Sequence, residues 1–195
     1  MSQNHHSTAI FVDLENLRLA VIEKFAKKNR KFFDYSNEPQ KLVDFCNACV
    51  FGSTQDSDLQ DLYRIFFYTA KPLDDHPNKQ KISNFLNNLE SLNHTALRLG
   101  KLVRRGNLIV QKRVDMLLGI DMAEISIKRF VKKVVLLGYD SDMSPALKLA
   151  RTSGVQTEIV IFDDLKQNIE LSLKKHCDTI KVVNLQSIYN QIGII

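Results

Sequence analysis

Cysteine is scarce in this 195-residue chain, and long apolar runs are missing. Only three cysteines occur, and two of them, Cys46 and Cys49, form a lone C-x-x-C inside a helical pattern. Because no second C-x-x-C or spaced histidine pair completes a zinc site, these thiols are predicted to be buried and structural. The apolar run 134–137 is far too short to cross a bilayer. Residues 1–7 are polar, lack a signal-peptide layout and are expected to form a flexible tail. We therefore expect a soluble, cytoplasmic protein with no membrane partner.

Apolar β-branched segments alternate with amphipathic helical patterns along the chain. The apolar fraction of 44% and the charged fraction of 25% are ordinary for a globular protein, and the length suits one domain over residues 1–195. The alternation predicts an α/β, three-layer α/β/α fold with a mainly parallel central sheet, and residues 97–111 predict a hairpin at its edge. The predicted strands are 9–12, 64–68, 134–137, 158–162 and 179–183. The predicted helices are 16–28, 39–50, 78–92, 114–130, 144–152 and 164–175.

Positive charge exceeds negative charge only mildly, with a formal net charge of +5 and a pI near 9.1. The placement of the cations is more informative than their number. One cluster, predicted to lie on the edge hairpin and just after it, precedes an acidic motif: Lys101, Arg104, Arg105, Lys112 and Arg113. These residues are either a solvated face or a track for a polyanion.

Aspartates follow two of the predicted strands. Asp13 comes directly after strand 9–12, and Asp140 and Asp142 follow strand 134–137 across a short turn. Ligands of open parallel sheets bind outside the carboxyl ends of the strands, so these acids share an edge if the two strands are neighbours. Asp115 lies in the first turn of the helix predicted from residue 114, whereas Asp121 is about 600° of helical rotation further on and faces away.

Clustered carboxylates repel one another unless something compensates their charge. Mg²⁺ and Mn²⁺ prefer oxygen ligands and can activate a water beside a phosphodiester. No G-x-x-x-x-G-K-[ST] or G-x-G-x-x-G occurs, which favours phosphodiester hydrolysis over nucleotide binding. Helix capping is the alternative interpretation of each aspartate taken singly.

Three motifs in order resemble those of the NYN domains, a PIN-like group that includes LabA-type proteins. Residues 11–17 (FVDLENL) resemble the opening strand that ends in Asp-Gly-x-Asn. Residues 112–122 resemble Lys-Gly-Val-Asp followed by an apolar helix, and residues 136–143 resemble Ser-Gly-Asp-Ser-Asp-Phe. The agreement in order and spacing extends over residues 9–162.

The resemblance implies a PIN-like fold, a Mg²⁺ or Mn²⁺ cofactor and cleavage of RNA, with single-stranded RNA as the expected partner. It implies that the catalytic, metal-ligating residues are Asp13, Asp115, Asp140 and Asp142. It assigns supporting places in the motifs to Asn16, Asp121 and Ser141. The sequence departs from the motifs at Leu14, Arg113 and Tyr139, which replace glycines and are expected to put larger side chains around the mouth of the site.

The resulting hypothesis is a metal-dependent endoribonuclease. Lys112 and Arg113 would hold flanking phosphates, the hairpin cations would extend that track, and Tyr139 would stack on an unpaired base. The alternative is an NYN domain with little or no activity that binds RNA or protein, which the three bulky replacements motivate. A phosphatase is a third class, but Ser141 has no evident basic partner in the sequence. The resemblance also makes a homodimer plausible.

Overall fold

The structure, a computed structural model, describes residues 8–25, 39–55, 61–106, 108–163 and 169–193, with the backbone alone for residues 20–25. The predicted tail, the end of the predicted helix 16–28 and the start of the predicted helix 164–175 lie outside the described residues. In the described parts, no helix has the length and apolar composition needed to cross a bilayer.

In the described parts of the chain, seven strands form one sheet in the order β4-β3-β2-β1-β5-β6-β7. All neighbouring pairs are parallel except β3 and β4, which are antiparallel. The mainly parallel α/β prediction is therefore confirmed. The strands are β1 (Thr8–Asp13), β2 (Leu62–Lys71), β3 (Thr95–Arg105), β4 (Leu108–Lys112), β5 (Lys133–Leu137), β6 (Gln156–Phe162) and β7 (Thr179–Val183).

Helices cover both faces of the sheet. They are α1 (Leu14–Phe25), α2 (Pro39–Phe51), α3 (Lys79–Glu90), α4 (Val114–Ile127), α5 (Ser144–Thr152), α6 (Leu171–His176) and α7 (Leu185–Gln191). One buried cluster joins the sheet to α1, α2, α3 and α7, and a second joins its other face to α4, α5 and α6. Strand β1 supplies both, with Ile10 and Val12 in the first cluster and Ala9 and Phe11 in the second. This alternation is the period of two expected of a strand buried on both faces.

Two elements differ from the sequence prediction. The first part of β3 pairs in parallel with β2 from Thr95 to Lys101, so only its remainder belongs to the edge hairpin. Helix α7 was not predicted; Asn184 caps it by accepting a hydrogen bond from the Ser187 backbone N–H at 2.8 Å. Cys46 and Cys49 are buried in α2, and burial raises the pKa of both thiols, as expected of structural cysteines.

Candidate active site at the carboxyl edge of the sheet

Two neighbouring strands end at the candidate site. Strand β1 pairs in parallel with β5, and Val12 lies opposite Leu137 at their carboxyl ends. Asp13 ends β1, while Asp140 and Asp142 follow β5 in the turn that leads to α5. The predicted adjacency of these strand ends is therefore confirmed.

Asp13 combines the end of a strand with the start of a helix. Its Oδ1 accepts hydrogen bonds from the backbone N–H groups of Glu15 at 2.9 Å and Asn16 at 3.1 Å, which is an N-cap arrangement. The capping interpretation is therefore correct, but it occupies only one carboxylate oxygen. Within the described part of the chain, Oδ2 accepts no hydrogen bond, so it is left for a ligand.

The turn after β5 holds Asp140 in a similar way. Gly138 has a φ of 149°, a conformation that L side chains rarely adopt, and it turns the chain away from the strand. Asp140 then caps the 3₁₀ turn Ser141–Met143, since its Oδ1 accepts a hydrogen bond from the Asp142 backbone N–H at 3.0 Å. The turn thereby fixes the direction of the Asp140 carboxylate.

Asp115 is positioned by a close crossing of two backbone segments. A Cβ placed on Gly100 of β3 would lie 2.5 Å from the Lys112 carbonyl oxygen and 2.6 Å from a Val114 methyl group. Because Gly100 has no side chain, the segment that joins β4 to α4 can cross directly over β3. Asp115 then lies in the first turn of α4. Arg113 makes this turn in the left-handed region, at a φ of 73°.

The carboxylates are close enough to affect one another. Burial raises the pKa of Asp13 from 3.8 to about 6, and the charges of Asp115 and Asp140 add to this effect against the opposing backbone donors. The pKa of Asp115 is also raised, first by partial burial and then by Asp140 and Asp142. Four acids from three separate chain segments therefore form one electrostatic group.

A cavity of about 10 Å³, room for about one water-sized particle, lies between these segments. Asp13, Asp115 and Asp140 line it together with Asn16 and Tyr139, whereas Asp142 lies outside it, exposed, on the adjoining groove between α4 and α5. The Oδ1 atom of Asn16 is buried, and none of the described residues donates a hydrogen bond to it. Among the described residues, no three carboxylate, imidazole or thiol groups are arranged so that they could hold a metal ion by themselves.

Two supporting residues lie elsewhere. Asp121 faces away from Asp115, as its spacing predicts, and its Oδ2 accepts hydrogen bonds from the Tyr68 hydroxyl at 3.0 Å and from Arg98 Nε at 2.8 Å. Ser141 is half-buried in the 3₁₀ turn. Tyr68 and Arg98 were missed by sequence reasoning, because their partner is 23 or more positions away in the chain. The isolated glycine at position 100 within a strand pattern was a usable signal of close backbone approach.

The cations of the edge hairpin divide between its two faces. Lys101, Lys112 and Arg105 share one face, on which Lys101 lies directly opposite Lys112 in the β3–β4 register. Arg104 lies on the other face and forms an ion pair with Asp75. The predicted basic cluster is therefore not one continuous track.

The chain was compared with known proteins. A family model described as "NYN domain" matches residues 7–184, nearly the whole chain. The chain belongs to the NYN domain family. A similar solved structure is that of a protein of unknown function, VPA0982, from Vibrio parahaemolyticus RIMD 2210633. It is 17% identical with a TM-score of 0.58, and the match covers 95% of this chain and 98% of that one. At this identity the likeness shows the shared fold alone. A search of curated proteins gave no match.

Family membership gives this NYN domain a nuclease-like, PIN-like fold, and NYN domains are generally nucleases. The three departures from the family motifs can now be located. Leu14 is 6% exposed and packs into the core on the α1–α2 side of the sheet, so the expectation that it narrows the mouth of the site is wrong. Tyr139 does line the cavity, and Arg113 is exposed at the start of α4.

Proposed function

We propose that this NYN domain is a metal-dependent ribonuclease that hydrolyses phosphodiester bonds in single-stranded RNA. The observation that carries the proposal is the meeting of Asp13, Asp115 and Asp140 around a cavity that Asn16 also lines, with its buried Oδ1 lacking a donor among the described residues. A buried amide oxygen without a donor is unfavourable unless it has another positive partner. A divalent cation would satisfy this oxygen and offset the repulsion between the acids.

The donor set fits Mg²⁺ or Mn²⁺. All the candidate ligand atoms are oxygens, and Mg²⁺ is commonly held by one or two carboxylates while it keeps several waters. Asp13, Asp115 and Asp140 would hold the ion directly or through water, with Asn16 as a neutral donor and Asp142 on the outer side. When bound, such an ion activates a water and stabilises charge on the phosphodiester.

The protein backbone orients two of the candidate ligands, Asp13 and Asp140. Backbone N–H groups fix Oδ1 of Asp13 and Oδ1 of Asp140, so the second oxygen of each carboxylate has a defined direction before any ligand binds. Such preorganisation lowers the free energy needed to assemble a reactive geometry. Tyr139 lines the cavity and would contact a base next to the scissile phosphate.

The exposed hairpin face supports binding of a polyanion. Like charges directly opposite each other on paired strands destabilise a sheet, yet Lys101 and Lys112 occupy such a pair. Neither lysine, nor Arg105 on the same face, has an ion-pair partner among the described residues. Phosphates of a bound nucleic acid would relieve this repulsion.

Arg113 strengthens the same interpretation. The backbone of Arg113 has a φ of 73°, which is strained for any residue with a side chain, and the NYN motif has glycine at this position. Strained residues are kept where the surroundings or the function require them. We assign Arg113 to a phosphate next to the cleaved bond.

The test is cleavage of end-labelled single-stranded RNA with Mn²⁺. The parent should cleave, a chelator should abolish cleavage, and the double variant Asp13→Asn with Asp140→Asn should lose about a hundredfold or more. Asp61→Asn, which changes an exposed aspartate just before β2, is the matched control and should cleave normally. A double variant that folds and cleaves as fast as the parent would refute the assignment.

A non-catalytic RNA-binding module is the second candidate. The absence of a ready three-residue metal group among the described residues favours it. In the same assay, RNA that is retained but left intact at every Mn²⁺ concentration would select this function over hydrolysis.

A further inference from the structure

A second, larger cavity lies at the carboxyl edge of the sheet, and we call it the β2 pocket. Its volume is about 600 Å³, which is within the range typical of sites for small ligands. It is lined by residues from α1, the end of β2, the loop 72–78, α3 and the edge hairpin. None of these residues lines the small cavity between the acids.

The order of the strands places the β2 pocket beside the candidate active site. Strand β1 lies between β5 and β2, and Asp13 at its end pairs with Tyr68. Thr69, the next residue of β2, lines the pocket, whereas Tyr139 follows β5 on the other side of Asp13. Adjacent strands are about 5 Å apart, so a nucleotide close to a phosphate bound at the acids can reach the pocket.

The charged groups of the pocket wall offset each other. Glu15, whose backbone N–H donates to Asp13, forms an ion pair with Arg18, and Arg18 Nε donates to Glu15 Oε2 at 2.8 Å. His76 Nδ1 accepts a hydrogen bond from the Asn78 backbone N–H at 3.1 Å, so Nε2 carries the hydrogen of the neutral ring. Binding of a phosphate depends on cations, so this wall suits an uncharged ligand better.

The rest of the wall combines neutral hydrogen-bonding groups with apolar ones. The Thr69 hydroxyl and the side-chain amides of Asn78 and Gln111 form no hydrogen bond with a described residue, although Thr69 is only 6% exposed. Ile82 and the half-buried Leu102 supply apolar surface. A polar group that is removed from water without a partner is unfavourable, so we expect a ligand with its own donors and acceptors.

We propose that the β2 pocket binds one base of the RNA, near the cleaved bond, and selects its identity. The inference rests on the RNA binding of the proposed function but does not require cleavage. A nucleobase has apolar faces, which suit Ile82 and Leu102, and a polar edge, which suits the amides and the hydroxyl. An amide both donates and accepts, so two amides can distinguish the edges of different bases. The edge has to be unpaired, which agrees with a single-stranded substrate.

Fluorescence anisotropy with short, labelled, single-stranded RNAs tests base selection. Each position in turn carries A, C, G or U, and a chelator prevents cleavage during the measurement. The parent should prefer one base at one position by about tenfold, as expected of well-placed hydrogen bonds to a base edge. Thr69→Val with Gln111→Leu removes the hydroxyl and one amide at similar volume, and it should abolish the preference.

The matched control makes the same changes far from the pocket. Thr179→Val with Gln156→Leu alters the first residues of β7 and β6, at the opposite edge of the sheet, and should keep the preference. Asn78→Ala is a second test variant. Its side chain makes no capping hydrogen bond to α3, so its loss should leave the helix intact and weaken the preference several-fold. Circular dichroism and urea unfolding check that all variants fold.

The proposal is overturned if the parent binds all four bases equally at every position, or if the folded Thr69→Val, Gln111→Leu variant keeps the preference. Free nucleosides distinguish the two sources of a base. A nucleoside that shifts the Thr69 amide signal in an NMR spectrum, while the RNAs are bound without preference, would assign the pocket to a free nucleotide and overturn its role in RNA selection. Base selection without cleavage would support the pocket and count against the nuclease, and cleavage without base selection would do the reverse.

Discussion

Asp13→Asn should raise the free energy of unfolding of the protein, although it removes a carboxylate on which the proposed RNA cleavage depends. In the metal-free protein, burial and the neighbouring acids raise the pKa of Asp13 from 3.8 to about 6. At neutral pH, where the carboxylate is ionised, this shift lowers the free energy of unfolding by about 3 kcal/mol. Asparagine keeps the Oδ1 that caps α1, and Asn and Asp cap helices about equally well. The lost interaction with the helix dipole is worth up to about 1 kcal/mol. We therefore expect the variant to be about 2 kcal/mol more stable than the parent at pH 7.5.

The pH dependence has a defined sign. The folded-state pKa of Asp13 lies above the unfolded value, so folding favours the protonated form. The associated stability is fully present below about pH 3.8 and is lost as pH rises through about 6. The gain from Asp13→Asn should therefore be absent near pH 4, grow between pH 4 and 6, and stay constant above.

Urea unfolding in the presence of a chelator measures this effect at pH 4, 5, 6 and 7.5. Asp61→Asn serves as the control, because that exposed aspartate lies at the far end of the sheet. Mn²⁺ should raise the midpoint of the parent and raise that of Asp13→Asn much less. A variant that is no more stable than the parent at pH 7.5, or equally stabilised at pH 4, would contradict the reasoning.

Four further predictions concern α4, the crossing at Gly100 and the edge hairpin. Gly100→Ala should lower the free energy of unfolding by about 1–3 kcal/mol and reduce cleavage, because its Cβ meets backbone. Gly119→Ala, whose Cβ would lie 3.9 Å from Ala146, should be neutral or stabilising by up to about 1 kcal/mol in the same urea series. Arg113→Gly should stabilise by up to about 1 kcal/mol by removing a strained φ, while RNA binding measured by anisotropy weakens. Lys101→Ala with Lys112→Ala should leave stability unchanged or higher and lower the salt dependence of RNA binding, whereas unchanged salt dependence would exclude them from the interface.

The spacing of apolar residues predicted most helices and strands, because it reflects which face of each element is buried. Strand 179–183 and helix 144–152 were predicted with the observed bounds, since their apolar spacing and turn residues are self-contained. Helix α7 was missed although Asn184 and the apolar residues after it carry the signal of a capped helix. The start of β3 was assigned to a hairpin, because a sequence pattern does not show which neighbour a strand joins.

The site was predictable to the level of which acids follow which strands. The rotation between Asp115 and Asp121 correctly separated them, but the contact of Asp121 with Arg98 on β3 depends on tertiary packing. Leu14 shows the same limit, since its position beside Asp13 suggested the mouth of the site while the first turn of α1 directs it into the core. The raised pKa of Asp13 depends on burial, which local sequence does not report.

Because the chain crosses over Gly100 at one end of the hairpin, changes in length are tolerated better at the hairpin tip than beside the candidate active site. The pairing of Lys101 with Lys112 lies next to the start of α4, whereas the pairing of Arg105 with Leu108 lies at the opposite end of the hairpin from Asp115. Residues can thus be added or removed at the tip in matched pairs, which keeps the register and leaves the reactive centre in place. Homologous domains could therefore differ in the length of this hairpin without altering the position of Asp115.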